Sequence, residues 1–224
     1  MNYFKAVFAI LKKDILMELR TKETVNATLV FGVLITLVFS FISEPGSKTE
    51  QEAAGGIFWM AVTFSGILGL NKTMMSEIQG GSFEALMLAP IDRSAVFFGK
   101  VLSNFLFLTI LEMILVPLFL VFYNINLVSH WLMVLIILLA TYGYSVTGTL
   151  FSMISVRTKT REIMLPLLML PVLIPVIIAA ILSTNIFLLG HDITYSYNWI
   201  KLMAVFDVIF TAVIFGIFGA IIEE

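Results

Sequence analysis

Six long apolar runs constrain the fold of this chain more than any other feature of its sequence. A helix that crosses about 30 Å of hydrocarbon needs roughly 20 mostly apolar residues. Each run is apolar on every face, whereas the strands of a membrane β-barrel alternate between apolar and polar residues. We therefore predict an all-α polytopic membrane protein, with a single transmembrane domain over residues 1–224. The six predicted spans are residues 25–43, 53–70, 101–123, 131–155, 163–189 and 202–222.

The composition favours the same environment. Hydrophobic residues make up 60% of the chain and charged residues 12%, against about 45–50% and about 25% in soluble domains. The formal net charge of -2 gives no positive field that would attract nucleic acid, so we exclude nucleic-acid binding. The chain has no cysteine, which excludes disulfides and thiolate metal sites. We expect no bound metal.

The basic residues outside the spans predict the orientation in the membrane. By the positive-inside rule, short loops rich in Lys and Arg lie in the cytoplasm. One side carries only Lys48 and Lys201. We therefore predict a multi-pass protein of the bacterial inner membrane, with both termini and the segment between spans two and three in the cytoplasm. The basic residues of that predicted cytoplasmic side are Lys5, Lys12, Lys13, Arg20, Lys22, Lys72, Arg93, Lys100, Arg157, Lys159 and Arg161.

Residues 1–24 precede the first span and have the pattern of an amphipathic helix. Its apolar face can lie among acyl chains while the lysines meet lipid headgroups. We therefore predict an elbow helix on the membrane surface, leading into a six-helix bundle at residues 25–222. It serves either as an anchor or also as a docking surface for a partner. The predicted apolar face consists of Phe4, Val7, Phe8, Leu11 and Ile15.

Residues 71–100 form the longest polar stretch, and we expect it to be structured. Gly80 and Gly81 indicate a break, and Ser82 can cap a short helix that stops at Pro90. Asp92 can cap the next helix, which leads into span three. The short helix has an apolar side with Phe83, Leu86 and Met87. It fits either a contact with another protein or a loop helix that faces lipid.

The sequence contains no phosphate-binding loop. Gly80 and Gly81 lack the G-x-x-x-x-G-K-[ST] spacing, and no glycine precedes Gly99 and Lys100 at the required distance. We therefore expect ATP binding and any ATPase domain to belong to a separate polypeptide.

Two acidic residues fall inside predicted spans. Glu112 lies near the middle of span three, where burying a charge costs about 3 kcal/mol on insertion scales and more if the charge faces lipid. Asp207 lies in span six, closer to the outer half. Each is either a functional carboxyl or a protonated carboxyl that forms a hydrogen bond across a helix interface. We favour the structural role over a two-carboxylate proton relay.

Span five contains three prolines, Pro166, Pro171 and Pro175. Each removes a helical hydrogen bond and clashes with the preceding turn. The pattern predicts a kinked or interrupted helix that serves as a hinge or gate.

The two histidines, His130 and His191, both fall at the predicted outer edge of the membrane. They are candidates for contact with haem iron, or they are interfacial side chains like the nearby Trp131. No spacing motif supports ligation, and no Ser-His-acid set can be assembled from them. We predict no catalytic residues and no directly bound cofactor, so the chain is a non-enzymatic subunit.

Several segments together resemble the CcmB family, the membrane subunits of a bacterial ABC transporter for cytochrome c maturation, with an ABC-2-type permease fold. The resemblance covers nearly the whole chain. It is carried by Lys-Lys-Asp-Ile-Leu-Met-Glu-Leu-Arg-Thr-Lys-Glu at 12–23, by residues 77–90 followed by Gly99 and Lys100, by Gly-Thr-Leu-Phe-Ser at 148–152, and by Leu-Pro-Leu-Leu-Met-Leu-Pro-Val-Leu-Ile-Pro at 165–175.

The resemblance implies a homodimer bound to two copies of the cytoplasmic ATPase CcmA, with CcmC, CcmD and the haem chaperone CcmE as further partners. It also implies that the segment between spans two and three forms a coupling helix that enters a groove on the ATPase. ATP hydrolysis would then drive either export of haem or release of haem-loaded CcmE. The residues at the coupling position are Glu77, Gly80, Gly81, Phe83, Glu84, Leu86, Met87 and Pro90. A general ABC exporter permease for a drug, lipid or polysaccharide is the alternative.

Overall fold

The computed structural model describes residues 3–42, 47–123, 131–156, 158 and 160–221. This part of the chain is almost entirely helical, with a short 3-10 turn at Ile193–Tyr195 before the last helix. Six of the helices are long and apolar enough to cross a membrane. The helices are α1 (Tyr3–Thr21), α2 (Glu23–Ile42), α3 (Lys48–Gln79), α4 (Ser82–Leu88), α5 (Arg93–Phe122), α6 (Trp131–Ser155), α7 (Arg161–Leu188) and α8 (Ser196–Ile221).

The predicted spans are confirmed as helices, but two of them continue well beyond their apolar runs. Helix α3 extends to Gln79, although span two was predicted to end at residue 70. Helix α5 begins at Arg93, before the apolar run that starts at residue 101, as predicted from the Asp92 cap. Hydropathy marks where a helix can meet lipid, and it does not mark where the helical hydrogen bonds end. The polar ends of α3 and α5 are therefore helical on either side of α4.

Helices α3 and α6 form the centre of the bundle, because they are the most buried of the six long helices. Helix α6 carries glycine and hydroxyl residues along its buried side, which lets neighbouring backbones approach closely. The hydroxyls of Ser145 and Thr147 bond to carbonyls one turn earlier in α6 itself, those of Thr141 and Gly143. Helix α6 packs closely on α3, because a Cβ atom at Gly148 would lie 2.5 Å from Leu70 Cδ1.

Helix α1 packs against α5 through Ala6, Val7 and Ile10, all of which are buried. Gly99 of α5 makes this approach possible, because a Cβ atom there would lie 2.9 Å from the Ile10 Cβ. The predicted apolar face is therefore wrong at Val7, which packs on the protein. Phe4, Phe8 and Ile15 remain exposed on the other side of α1 and are available to lipid. The helix has two apolar sides, where the sequence pattern suggested one.

Helix α7 runs without interruption through its three prolines. The alternative of an interrupted helix is therefore wrong. Pro171 and Pro175 are exposed on the outside of the helix, and Pro166 is half-buried. Leu165, Met169 and Leu173 face the core instead and hold α7 in place. A proline on the outer side of a helix avoids a clash with its packing partners, so helical structure is retained on the buried side.

Candidate functional site

The turn between α3 and α4 is built on two consecutive glycines. Gly80 ends α3, and Gly81 has φ of +66°, in the left-handed region that favours glycine. Gly81, and not Ser82, occupies the N-cap position of α4, so the predicted Ser82 cap is wrong. The Ser82 hydroxyl instead donates a hydrogen bond to the Glu77 carbonyl at 3.3 Å. The two glycines form the turn after α3, and the Ser82 hydrogen bond links this turn to the last turn of α3.

Helix α4 has seven residues, and none of them is buried. Glu84 and Leu88 are exposed, while Phe83, Leu86 and Met87 are half-buried. A helix this short is marginal in water without packing partners. It ends two residues before Pro90, and the Asp92 side chain then caps α5 by accepting a hydrogen bond from the Ser94 N–H at 2.9 Å. The predicted short helix and the predicted Asp92 cap are both confirmed.

A cluster of four charges lies where α1, α3 and α5 meet, with Glu77 and Lys100 buried and Lys13 and Asp14 half-buried. Lys13 Nζ is 2.9 Å from Glu77 Oε1 and 3.0 Å from Asp14 Oδ1. Lys100 Nζ is 2.9 Å from Asp14 Oδ2 and also contacts Glu77 Oε1. Glu77 and Lys100 are 4% and 7% exposed. Two cations and two anions balance each other, which offsets part of the cost of removing each charge from water.

This pairing shifts the pKa values of Asp14 and Lys13, which lie outside the membrane spans. Burial raises the pKa of Asp14, but the attraction of Lys100 and Lys13 outweighs burial, so the net pKa lies below its ordinary value. Burial lowers the pKa of Lys13, but Glu77 and Asp14 outweigh burial and leave the pKa of Lys13 raised. Both groups are therefore held in their charged forms by the cluster.

Glu77 was assigned from the sequence to the ATPase-coupling segment. It lies in the last turn of α3 and is buried in the charge cluster, so its side chain is turned toward α1 and α5. Glu77 therefore connects the coupling turn to the bundle, while Glu84 and Leu88 of α4 are exposed and Phe83 is half-buried.

This cluster and one further buried carboxylate were not predicted from the sequence. Lys13 and Lys100 were used to predict the orientation and belong to the segments that carry the family resemblance, but no ion pair was predicted for them, although Lys100 directly precedes an apolar run and Asp14 adjoins Lys13. Glu50, in the first turn of α3, is 1% exposed. A charged residue at the end of an apolar run is the sequence feature that could have indicated a buried charge. Which charges form ion pairs depends on how the helices pack, and the sequence does not show that.

Glu112 forms a hydrogen-bonded group with α6. Both of its carboxyl oxygens lie 2.7 Å from the Thr141 hydroxyl, which is also 2.7 Å from the Ile137 carbonyl oxygen. A hydroxyl has one hydrogen to donate, and these distances surround it with three oxygens. A protonated Glu112 carboxyl satisfies these contacts. It donates a hydrogen bond to the Thr141 hydroxyl, and that hydroxyl donates its own hydrogen to the Ile137 carbonyl oxygen. The cross-helix hydrogen bond predicted for Glu112 is therefore present.

Asp207 of α8 is buried against Gly143 of α6. A Cβ at Gly143 would lie 2.5 Å from Asp207 Oδ1. Neither carboxyl oxygen of Asp207 has a hydrogen-bond partner within the part of the chain that the structure describes. The glycine supplies the space that the carboxyl fills, so Asp207 lies in the α6–α8 interface. Among the described residues, Asp207 shares no hydrogen bond with Glu112.

His191 is exposed in the turn after α7, and His130 lies outside the described residues. The predicted haem contact of these histidines stays a prediction. Arg157 and Lys159, two of the basic residues used for orientation, also lie outside the described residues.

Known proteins similar to this chain share one description. The family model described as CcmB protein matches residues 5–222. A heme exporter protein B of Rhodobacter capsulatus is 26% identical over 170 residues, which cover 76% of this chain and 78% of the relative. A heme exporter protein B of Pseudomonas aeruginosa is 29% identical over 159 residues, 71% of each chain. With a family match over nearly its full length and six helices fit to cross a membrane, this chain is a multi-pass membrane protein of the CcmB family.

Proposed function

We propose that this chain is the membrane component of a haem exporter and that it couples ATP hydrolysis by a separate ATPase, CcmA, to work in the membrane. Membership of the CcmB family and the name shared by its relatives support the first part. The second part rests on helix α4 and the charge cluster beside it. The chain itself is a non-catalytic subunit in this proposal.

One observation carries the coupling role. Helix α4 has no buried residue, yet it is held between two long helices whose ends are joined by the buried pair Glu77 and Lys100. A force on α4 therefore acts on the ends of α3 and α5 together. The same pair contacts Lys13 and Asp14 of α1, so the elbow helix moves with them.

The proposed assembly has two copies of this chain and two copies of CcmA, with CcmC, CcmD and CcmE as further partners. Both chain termini and α4 lie in the cytoplasm. The basic residues on the α1, α3 and α5 ends of the bundle support this orientation by the positive-inside rule.

Copurification of CcmA with variants of α4 tests the coupling surface. We expect Phe83→Asp and Glu84→Arg to weaken CcmA binding without reducing the amount of this chain in the membrane. Matched controls at the opposite end of the bundle are Tyr195→Asp and Glu52→Arg, which are also exposed. Undiminished copurification of CcmA with the α4 variants contradicts the proposal, as does an equal loss in the controls.

The work done on the outer side is either haem export or release of haem-loaded CcmE. Proteoliposomes that contain this chain, CcmA, CcmC, CcmD and haem-loaded CcmE separate the two. If ATP moves haem across the bilayer, the complex is a translocator. If ATP only frees CcmE from its partner, the complex is a mechanical transducer.

A further inference from the structure

A cavity of about 610 Å³ lies at the end of the bundle where α1 turns into α2. Its walls come from five helices, α1, α2, α3, α5 and α6. Lys22 stands at the turn and is the one non-glycine residue with positive φ, at 53°, within the described part of the chain. A left-handed conformation at a lysine is strained, and here it positions the elbow helix over the cavity.

The cavity has a charged wall and an apolar wall. The charged and polar wall includes Lys22, Glu23, Lys72, Ser76 and Gln79. The apolar wall follows α5 from Leu106 through Phe107 to Ile110. Ile110 lies ten positions after Lys100 on the same helix, which is about 15 Å along its axis. Leu106 and Ile110 are 36% and 50% exposed, so this wall continues onto the outer surface of the bundle.

Charges of both signs meet at the mouth of the cavity. Lys72 Nζ is 2.9 Å from Glu23 Oε1, and the two side chains are 36% and 76% exposed. Exposed ion pairs contribute little to stability, so a ligand can exchange one of these partners at small cost. A ligand with anionic charge alone would meet the Glu23 and Glu18 carboxylates of the lining. A ligand that carries a phosphate and an ammonium can pair with Lys72 and Glu23 together.

We propose that this cavity binds a bilayer phospholipid with a zwitterionic amine headgroup, such as phosphatidylethanolamine. The phosphate pairs with Lys72 and Lys22, the ammonium pairs with Glu23, and an acyl chain follows Leu106 and Ile110 out to the membrane. The bound lipid fills the space beneath the elbow helix and links α1 to the bundle. Asp14, Glu77 and Lys100 of the charge cluster also line the cavity, so the test uses Lys72 and Ser76, which belong neither to that cluster nor to α4.

Native mass spectrometry of the purified full-length chain tests the proposal. The protein is extracted in mild detergent and mixed with phosphatidylethanolamine or with phosphatidylglycerol of identical acyl chains. We expect retained phosphatidylethanolamine to exceed retained phosphatidylglycerol. Lys72→Ala should lower retention by up to about fivefold, the effect of losing one exposed charge pair. Ser76→Trp should abolish retention, because Ser76 is exposed on the cavity wall and a ring there fills the space.

Two matched variants lie outside the cavity. Lys12→Ala removes an exposed cation from α1, and Val208→Trp adds a ring to an exposed position of α8. Both should retain lipid as the unmodified chain does. Equal retention by Lys72→Ala, Ser76→Trp and these controls overturns the proposal. A preference for phosphatidylglycerol also overturns it. So does a third result: haemin added to the chain shows an absorbance shift that Ser76→Trp abolishes, while lipid retention by that variant is unchanged.

Discussion

The side chains of Lys100 and Glu77 form a buried ion pair that joins the start of α5 to the end of α3. Between these residues the chain makes the double-glycine turn, helix α4 and the Asp92 cap. The pair therefore joins the two ends of the segment that contains α4, the proposed coupling helix. Because Lys13 and Asp14 complete the cluster from α1, three helices share one electrostatic junction.

Removing one member of this pair should destabilise the protein strongly. Lys100→Met leaves Glu77 and Asp14 buried with one cation, and breaking a buried pair costs about 3–5 kcal/mol. The double variant Lys100→Met with Glu77→Leu restores charge balance with Lys13 and Asp14 and should recover much of that loss. Thermal unfolding of the purified chain in detergent measures both. A double variant that is less stable than the single one contradicts the proposed balance.

The junction should also depend on pH. The lowered pKa of Asp14 stabilises the fold at pH values above the unfolded pKa of about 3.9, and that contribution is lost as pH falls through the folded pKa. The raised pKa of Lys13 stabilises the fold below about pH 10.4, and that contribution is lost as pH rises through the folded pKa. We expect α1 to separate from α5 outside this window.

Spin labels at Lys12→Cys and Arg93→Cys measure that separation, since the chain has no native cysteine. Both positions are exposed. The distance between the labels should stay constant between about pH 4 and about pH 10, and it should lengthen as pH falls through the folded pKa of Asp14 or rises through the folded pKa of Lys13. An Arg93→Cys and Lys201→Cys pair joins α5 to α8 without α1 and reports general unfolding, so simultaneous change in both pairs argues against a local opening.

Glu112 and Thr141 should respond unequally to substitution. Glu112→Gln keeps a donor for the Thr141 hydroxyl and should change stability by less than about 1 kcal/mol. Thr141→Val leaves the Glu112 carboxyl buried without its partner and should cost about 1–3 kcal/mol. Cytochrome c assembly should persist with Glu112→Gln if the carboxyl is structural. Loss of assembly with normal abundance would instead assign Glu112 a functional role.

Gly143 and Asp207 should be coupled. Gly143→Ala places a methyl group where the Asp207 carboxyl lies, and overpacking costs about 1–3 kcal/mol. Asp207→Ala vacates that space, so the double variant should be more stable than Gly143→Ala alone. Unfolding midpoints of the single and double variants give the coupling energy. Additive effects would show that the two positions do not share this space.

Pro171 and Pro175 should matter more for activity than for folding. Both are exposed on α7, and replacing them with Ala restores backbone hydrogen bonds that proline lacks. The variant with both changes should therefore stiffen α7 and reduce cytochrome c maturation while its abundance in the membrane is kept. Ile174→Ala changes a neighbouring exposed residue without changing backbone bonding and is the control. Equal loss of maturation and abundance indicates a folding role.

Some features of the candidate site follow from local sequence. The double glycine, the spacing of Phe83, Leu86 and Met87, and the cap at Asp92 predicted the short helix and the start of α5, because turns and caps depend on nearby residues. Local sequence misplaced the cap of α4 at Ser82. The N-cap is Gly81, which has positive φ, so α4 begins at Ser82, one residue earlier than a Ser82 cap would give.

The sequence by itself determined the membrane class, the number of spans and their approximate positions, since hydropathy acts over about 20 consecutive residues and needs no tertiary contact. Only the tertiary structure decided that Lys13, Asp14, Glu77 and Lys100 meet, that Val7 turns to α5, and that Gly143 makes room for Asp207. These contacts join residues far apart in the chain. They depend on how each helix is rotated and how closely it packs, which the steric fit of all the helices fixes together.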